Sequence, residues 1–286
     1  MTLRKRLTAP DILIAPGVYD GLTAALAADA GFEALYLSGA AVAYTRLGRP
    51  DIGLSTASEM TDTMALIADR TDLPVIMDAD TGFGNALNAR RTMQSYERAG
   101  ASALQVEDQT YPKKCGHLSD KSLIPKEEMA GKIAAMADAR RHDTLIIART
   151  DAIAVEGFDA AIDRAGSYID AGADVLFIEA PRDSGELSRI ADTFKGRVPL
   201  LANMVEGGAT PISSATTLED MGFDIVIFPG GIVRALARSA QDYYASLKAT
   251  GSNKAFSDRM HDFDGLNAAI GTPEMLALGK RFDGKS

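Results

Sequence analysis

The chain carries a single cysteine in 286 residues, and its neighbours give it chemical interest. Cys115 stands in Lys113-Lys114-Cys115-Gly116-His117, with two lysines before it, a glycine after it and one of only three histidines two residues on. Adjacent cations stabilise a thiolate, so Lys113, Lys114 and a protonated His117 would draw the Cys115 pKa into a range where sulfur can exchange a proton. The alternative is an inert thiol in a solvated basic loop. Gly116 gives the backbone room to close. The segment from Gln109 to Pro125 is long for a strand-to-helix connection, and lids over active sites use such length.

A second group is acidic. Asp78-Ala79-Asp80 sets two carboxylates two residues apart, followed by Thr81-Gly82-Phe83-Gly84, whose glycines let backbone approach a ligand. Hard oxygen donors of this kind suit Mg2+ or Mn2+, which keep several waters and take one or two direct carboxylates. Asp51 in a loop and Glu107 one strand later would complete a largely water-mediated outer shell. Tyr36-Leu37-Ser38-Gly39-Ala40-Ala41 ends another apolar run with a hydroxyl and small residues, suited to turning backbone N–H groups toward a carboxylate. His142 and His261 stand in polar contexts and read as structural.

These groups must be held by a scaffold, and short aliphatic runs alternating with longer alanine-rich segments indicate parallel strands joined by helices. Eight strands are expected: Ile12–Ala15, Ala34–Ser38, Pro74–Asp78, Ala103–Glu107, Thr144–Arg149, Val175–Glu179, Pro199–Asn203 and Asp224–Phe228. A weak repeat supports the count, since Ala30-Gly31, Ala99-Gly100, Ala171-Gly172 and Met221-Gly222 each read as a helix end with a glycine cap before a strand. A closed (β/α)8 barrel of TIM type is the expected fold, with an open doubly wound sheet as the alternative. In a barrel, chemistry sits at the carboxyl ends of the strands. Those positions hold Ser38, Asp78 and Asp80, Glu107 and Asp108, Arg149 and Asp151, Glu179 and Asn203. Asp151 has two readings, a cap for the helix that follows or a member of the site.

The bulk properties agree. A chain of this length folds as one barrel domain over residues 1–286, with no linker to divide it. From about residue 251 strand signals stop and a helix over Pro273–Leu278 is expected, packing either on a neighbouring subunit or on the barrel's outside. The net charge of -9 speaks against nucleic acid, whose binders present clustered basic surfaces. The basic start, Met1 to Leu7, is followed by Thr8, Pro10 and Asp11 instead of a secretory apolar region, and no apolar run approaches membrane-spanning length. A lone cysteine suits a reducing, cytoplasmic location.

The combination of Tyr36-Leu37-Ser38-Gly39, Pro50-Asp51-Ile52-Gly53, Met77 to Gly84, Val106-Glu107-Asp108-Gln109, Lys113 to His117, Ala148-Arg149-Thr150-Asp151-Ala152 and Asn203 to Gly208 resembles the isocitrate lyase and phosphoenolpyruvate mutase superfamily. The match runs in order from about residue 10 to 250. Within the superfamily the cysteine loop is similar to that of the lyases, and the short chain to 2-methylisocitrate lyase and the 2-alkylmalate (2,3-dimethylmalate) lyases. Ala40 and Ala41 depart from the glycine common after Ser-Gly, and the segment from Asn203 to Pro211 mixes features of both lyase kinds.

The resemblance implies a Mg2+-dependent carbon-carbon lyase acting on a small 2-hydroxy carboxylate. It also implies a modified barrel whose last helix is exchanged between paired subunits of a homotetramer. Asp78 would hold the metal, with Asp51, Asp80 and Glu107 acting through waters. Tyr36 or a hydroxide on the metal would serve as base, and Cys115 as acid, in a loop with Lys113, Gly116 and His117. Arg149, Asn203 and the backbone of Ser38 to Ala40 would hold developing negative charge, Glu179 would orient a carboxylate partner, and Arg234 would reach the second product. Hydrolysis or decarboxylation of oxaloacetate is the alternative chemistry, with a phosphonomutase further off.

Overall fold

The computed structural model describes residues 1–116, 118 and 120–283. Eight strands form a closed, all-parallel barrel: β1 (Leu13–Val18), β2 (Leu35–Leu37), β3 (Val75–Asp78), β4 (Ala103–Glu107), β5 (Leu145–Thr150), β6 (Val175–Ile178), β7 (Leu200–Asn203) and β8 (Ile225–Phe228), with β8 paired to β1. The open-sheet alternative is thereby excluded. Each strand lies where the aliphatic runs place it, and β3 to β6 are buried along their whole length, as strands covered on both faces must be.

Strand β1 runs three residues beyond the expected end, through Pro16 and Gly17. Gly17 allows this because a Cβ there would stand 2.3 Å from the carbonyl oxygen of Pro229, so only glycine lets β1 lie so close to the end of β8. The repeated glycine caps are also present: Gly31, Gly100, Gly172 and Gly222 all take positive φ, between 86° and 107°.

Inside the barrel a buried hydrophobic stack includes Leu13, Tyr36, Ile76, Ile147, Phe177, Leu201 and Ile225. Leu3, from the short helix Leu3–Arg6, joins this core and is 1% exposed, so the basic N-terminal segment carries a plug residue. Register then matters for chemistry. Asp78 at the end of β3 is level with Gln105 on β4, and Glu107 at the end of β4 is level with Arg149 on β5.

The chain groups into two compact units, Met1–Gly231 and Ile232–Ser286. The second unit contains most of a helix, Gly231–Thr250, a 3-10 turn over Asn253–Arg259, and helices Phe263–Ala269 and Thr272–Phe282. The expected helix over Pro273–Leu278 lies inside the last of these, and the helix Phe263–Ala269 was not anticipated. Phe263, Met275, Leu276 and Phe282 are all exposed. No helix among the described residues is long and apolar enough to cross a membrane.

Candidate active site

The carboxyl ends of β2 to β7 bring most of the expected residues together. Asp78 closes β3, and its Oδ1 accepts the Asp80 N–H at 3.1 Å, which bends the chain back on itself. Asp80 follows with φ 45°, and Lys132 and Thr92 donate to the carbonyls of Thr81 and Gly82 at 3.1 and 3.2 Å. Gly39 faces this turn: a Cβ there would sit 2.9 Å from Asp78 Oδ2, so glycine is what allows the β2 end to approach the carboxylate.

Lys113 enters between two acids. Its ammonium stands 2.6 Å from Asp51 Oδ1 and 2.8 Å from Asp80 Oδ1. Burial opposes this charge, yet Asp80, Asp51, Asp78 and Glu107 together hold the Lys113 pKa well above the ordinary lysine value. Burial conversely pushes Asp80 up to about 6, with Lys113 opposing and the like charges of Asp78 and Asp51 reinforcing. Lys113 thus serves the acidic pocket, and its charge is compensated there.

Arg149 is the hub of the other half. Its Nε and Nη2 make a fork to the two Asp151 oxygens at 2.9 and 3.0 Å. Nη1 lies 3.3 Å from Glu107, Nη2 lies 3.4 Å from Glu179, and the guanidinium covers the Phe177 ring at 5.1 Å. Glu179 in turn accepts from Asn203 Nδ2 at 3.0 Å and from the Ala180 N–H at 2.9 Å. Burial drives the Glu107 carboxyl well above the carboxylate range despite Arg149.

The cysteine loop is seated on both halves. At its base Gln109 and Leu123 form an antiparallel bridge, and the Gln109 side chain bonds both backbone groups of Lys114. The Cys115 N–H donates to the Asp51 carbonyl at 3.2 Å, and the Tyr111 hydroxyl donates to the Gly53 carbonyl at 2.8 Å. A Cβ on Gly116 would lie 2.3 Å from Arg149 Nη2, so the loop backbone rests directly on the guanidinium. His117 falls outside the described residues.

A family model described as phosphoenolpyruvate phosphomutase matches residues 3–248. The chain belongs to the phosphoenolpyruvate mutase/isocitrate lyase superfamily. It is 41% identical to the 2,3-dimethylmalate lyase of Eubacterium barkeri, covering 94% of this chain and 93% of that one. It is 47% identical to the 2-methylisocitrate lyase of Bacillus subtilis, covering 91% and 84%. A crystal structure of 2,3-dimethylmalate lyase superposes with a TM-score of 0.93 at 35% identity, covering 99% of this chain and 97% of the other. A phosphonopyruvate hydrolase solved in complex with oxalate and Mg++ matches at 0.88 and 30%, covering 99% of both chains.

For three of the expected residues the geometry adds partners. Tyr36 was one option for the base, but its buried hydroxyl donates to Gln105 Oε1 at 2.8 Å, and burial and then Asp78 raise its pKa well above that of ordinary tyrosine. Ser38 does not offer its N–H to a ligand, since that group bonds the Val18 carbonyl at 3.1 Å and the hydroxyl caps Ala41 at 3.2 Å. Asp151 stands at the N-cap position of the helix Ala152–Val155, but its side chain makes no capping bond and is held by Arg149. Arg234 lies on the helix Gly231–Thr250, within the second unit.

Gln105 was not anticipated, although an amide inside the run Ala103-Leu104-Gln105-Val106 is the kind of buried polar residue that needs a reason. Its Nε2 reaches Asp78 Oδ1 at 3.4 Å, joining Tyr36 to the acidic turn. Lys121 was also passed over.

The donor set suits a hydrated divalent ion. Six buried carboxylates, Asp51, Asp78, Asp80, Glu107, Asp151 and Glu179, face three cations, Lys113, Lys121 and Arg149. Glu107 Oε1 is buried without a hydrogen-bond partner. Among the described residues no three His, Cys, Asp or Glu side chains converge into a direct ligand cluster, and a divalent ion held by one or two of these carboxylates would keep several waters.

Proposed function

We propose that this protein is a Mg2+-dependent carbon-carbon lyase that cleaves a 2-hydroxy di- or tricarboxylate of the 2,3-dimethylmalate or 2-methylisocitrate kind. The products are an α-keto acid, pyruvate where the carbinol carbon carries a methyl, and a carboxylic acid. One observation carries the reading: the cysteine loop, bound at the Cys115 N–H to Asp51 and resting at Gly116 on Arg149, belongs to a chain 41–47% identical to named lyases.

Bound through Asp78 and, via waters, Asp51, Asp80 and Glu107, Mg2+ or Mn2+ would supply a Lewis acid for the 2-hydroxyl and its neighbouring carboxylate. Loss of the hydroxyl proton to a water of the site, and from there to solvent, lets the carbon-oxygen double bond form as the adjacent carbon-carbon bond breaks. The electron pair passes to the second carboxylate as an enediolate. Arg149, Asn203 and the N–H groups of Gly39 and Ala40 are placed in this reading to hold that charge. Cys115 then gives its proton to the carbanion carbon, which balances the proton removed at the start.

Cys115→Ser tests the acid. Turnover should fall by roughly 10²- to 10⁴-fold while substrate binding persists; turnover at the parent rate overturns the assignment. A coupled pyruvate assay over 2-methylisocitrate, 2,3-dimethylmalate, isocitrate and oxaloacetate tests the substrate class. Acetate plus oxalate would mark a hydrolase, and carbon dioxide plus pyruvate a decarboxylase.

We further propose that the segment after about residue 251 packs on a neighbouring copy, with its last helix exchanged in a homotetramer. Supporting this are the exposed apolar side chains of Phe263, Met275, Leu276 and Phe282, which would otherwise face water. Sedimentation of the full chain and of a chain ending at residue 251 tests it.

A further inference from the structure

Asp151 is completely buried and its carboxylate holds two cations at once. While it forks to Arg149, its Oδ1 also accepts Lys121 Nζ at 2.8 Å, and the same ammonium donates to the carbonyl oxygen of Gly116. Gly116 rests on Arg149, so the contacts close a ring: Asp151 to Arg149, Arg149 to Gly116, Gly116 to Lys121, Lys121 to Asp151. Both carbonyl and ammonium belong to the cysteine loop, whereas Arg149 and Asp151 belong to the β5 end.

The ring is braced from behind. Asp108 Oδ1 accepts the Asp151 N–H at 3.0 Å, and its Oδ2 accepts the Thr150 and Tyr168 hydroxyls at 2.7 Å each. Arg164 donates to the Ile124 carbonyl at 3.0 Å and lies 3.4 Å from Asp108, tying the far end of the loop to the same support. Arg149 and Asp151 cannot drift with the loop.

Burying an ammonium is unfavourable unless a carboxylate is already in place. The Lys121 side chain is 2% exposed beside a carboxylate of 0%. With the loop lifted, Lys121 would regain water while Asp151 kept Arg149. The lysine pair therefore stabilises only the seated loop, and only while Asp151 is aimed by Arg149.

We propose that Lys121 and Asp151 are positioning residues that make the seating of the Cys115 loop and the orientation of Arg149 a single event. Both act through Arg149 and the Gly116 backbone. The kinetic consequence rests on the lyase reading, but the seating itself can be measured without substrate, because Cys115 is the sole thiol, is only half-buried in the seated loop, and is alkylated faster when the loop opens.

Iodoacetamide alkylation across the alkaline range separates the two causes of a rate change. Altered thiol ionisation moves the midpoint, and loop opening raises the plateau. Lys121→Met, which keeps the stem and removes the cation, should raise the plateau by about ten-fold or more and lower kcat by a similar factor. Lys121→Arg, which keeps charge and donors, should restore slow alkylation. Asp151→Asn should open the loop as well and lower kcat further, because Arg149 loses its fork. A Lys121→Met plateau within two-fold of the parent chain, or a Lys121→Arg protein no better than Lys121→Met, overturns the proposal. If the parent chain shows no lyase turnover, that counts against the lyase reading alone, and the alkylation plateaus still decide the latch.

Discussion

Replacing Gly116 with alanine adds one carbon at the point where the loop meets the site. That carbon would lie 2.3 Å from Arg149 Nη2 and 2.8 and 2.9 Å from Glu179 Cγ and Cδ, whereas ordinary van der Waals contact begins near 3.4 Å. Arg149 cannot retreat, being forked to Asp151, flanked by Glu107 and Glu179 and stacked on Phe177. The loop must back away by about 1 Å. Displacement on that scale costs about 10²-fold in rate, equivalent to about 2.7 kcal/mol of barrier. Steady-state pyruvate release should therefore drop about 10²-fold, while the thermal midpoint stays close to that of the parent, because seated loops add little to global stability. A Gly116→Ala enzyme with kcat within about threefold of the parent would falsify the packing argument, since a gap that small is incompatible with a displaced loop.

Other outcomes follow from the buried charges. Mg2+ at a hundred times its Kd should stabilise the fold by about 2.7 kcal/mol, read as a thermal shift that EDTA removes, and Asp78→Ala should abolish the shift; an unchanged shift in that variant contradicts the site. Burial alone would raise the Asp151 carboxyl, but Arg149 and Lys121 prevail and hold it at about 2 against an ordinary 3.8. Its stabilisation is thus complete above about pH 4 and is lost as pH falls toward 2, on the order of 2 kcal/mol in all. The urea stability of Asp151→Asn, followed by circular dichroism because the chain lacks tryptophan, should converge on that of the parent across that window. Asp108→Ala strands the Thr150 and Tyr168 hydroxyls and the Asp151 N–H, while Arg164 keeps its fork to Glu156, and should cost about 3 kcal/mol, on the order of 1 for each stranded donor; a loss below about 1 kcal/mol would mean the brace is dispensable.

The barrel and most of the polar residues gathered at its mouth were legible because both obey local rules. Buried parallel strands are continuous aliphatic runs, their helices end in glycine, and polar residues at strand ends have nowhere to point but the carboxyl face. Asp78, Glu107, Arg149, Glu179 and Asn203 could be picked out on that basis, and Cys115 by its singularity. The partners of each group were hidden, because pairing depends on register between strands far apart in the chain. Lys113, read as a neighbour of the thiol, instead bridges Asp51 and Asp80. Asp151, equally fit to cap a helix, went to Arg149 and Lys121. Tyr36, a candidate base, donates to Gln105, which links it to Asp78. Residue type and spacing by themselves determined the architecture and the kinds of atoms at the barrel mouth. Which carboxylate faces which cation was decided only by the closed sheet, which sets Glu107 level with Arg149 and lets the cysteine loop fold down onto both halves.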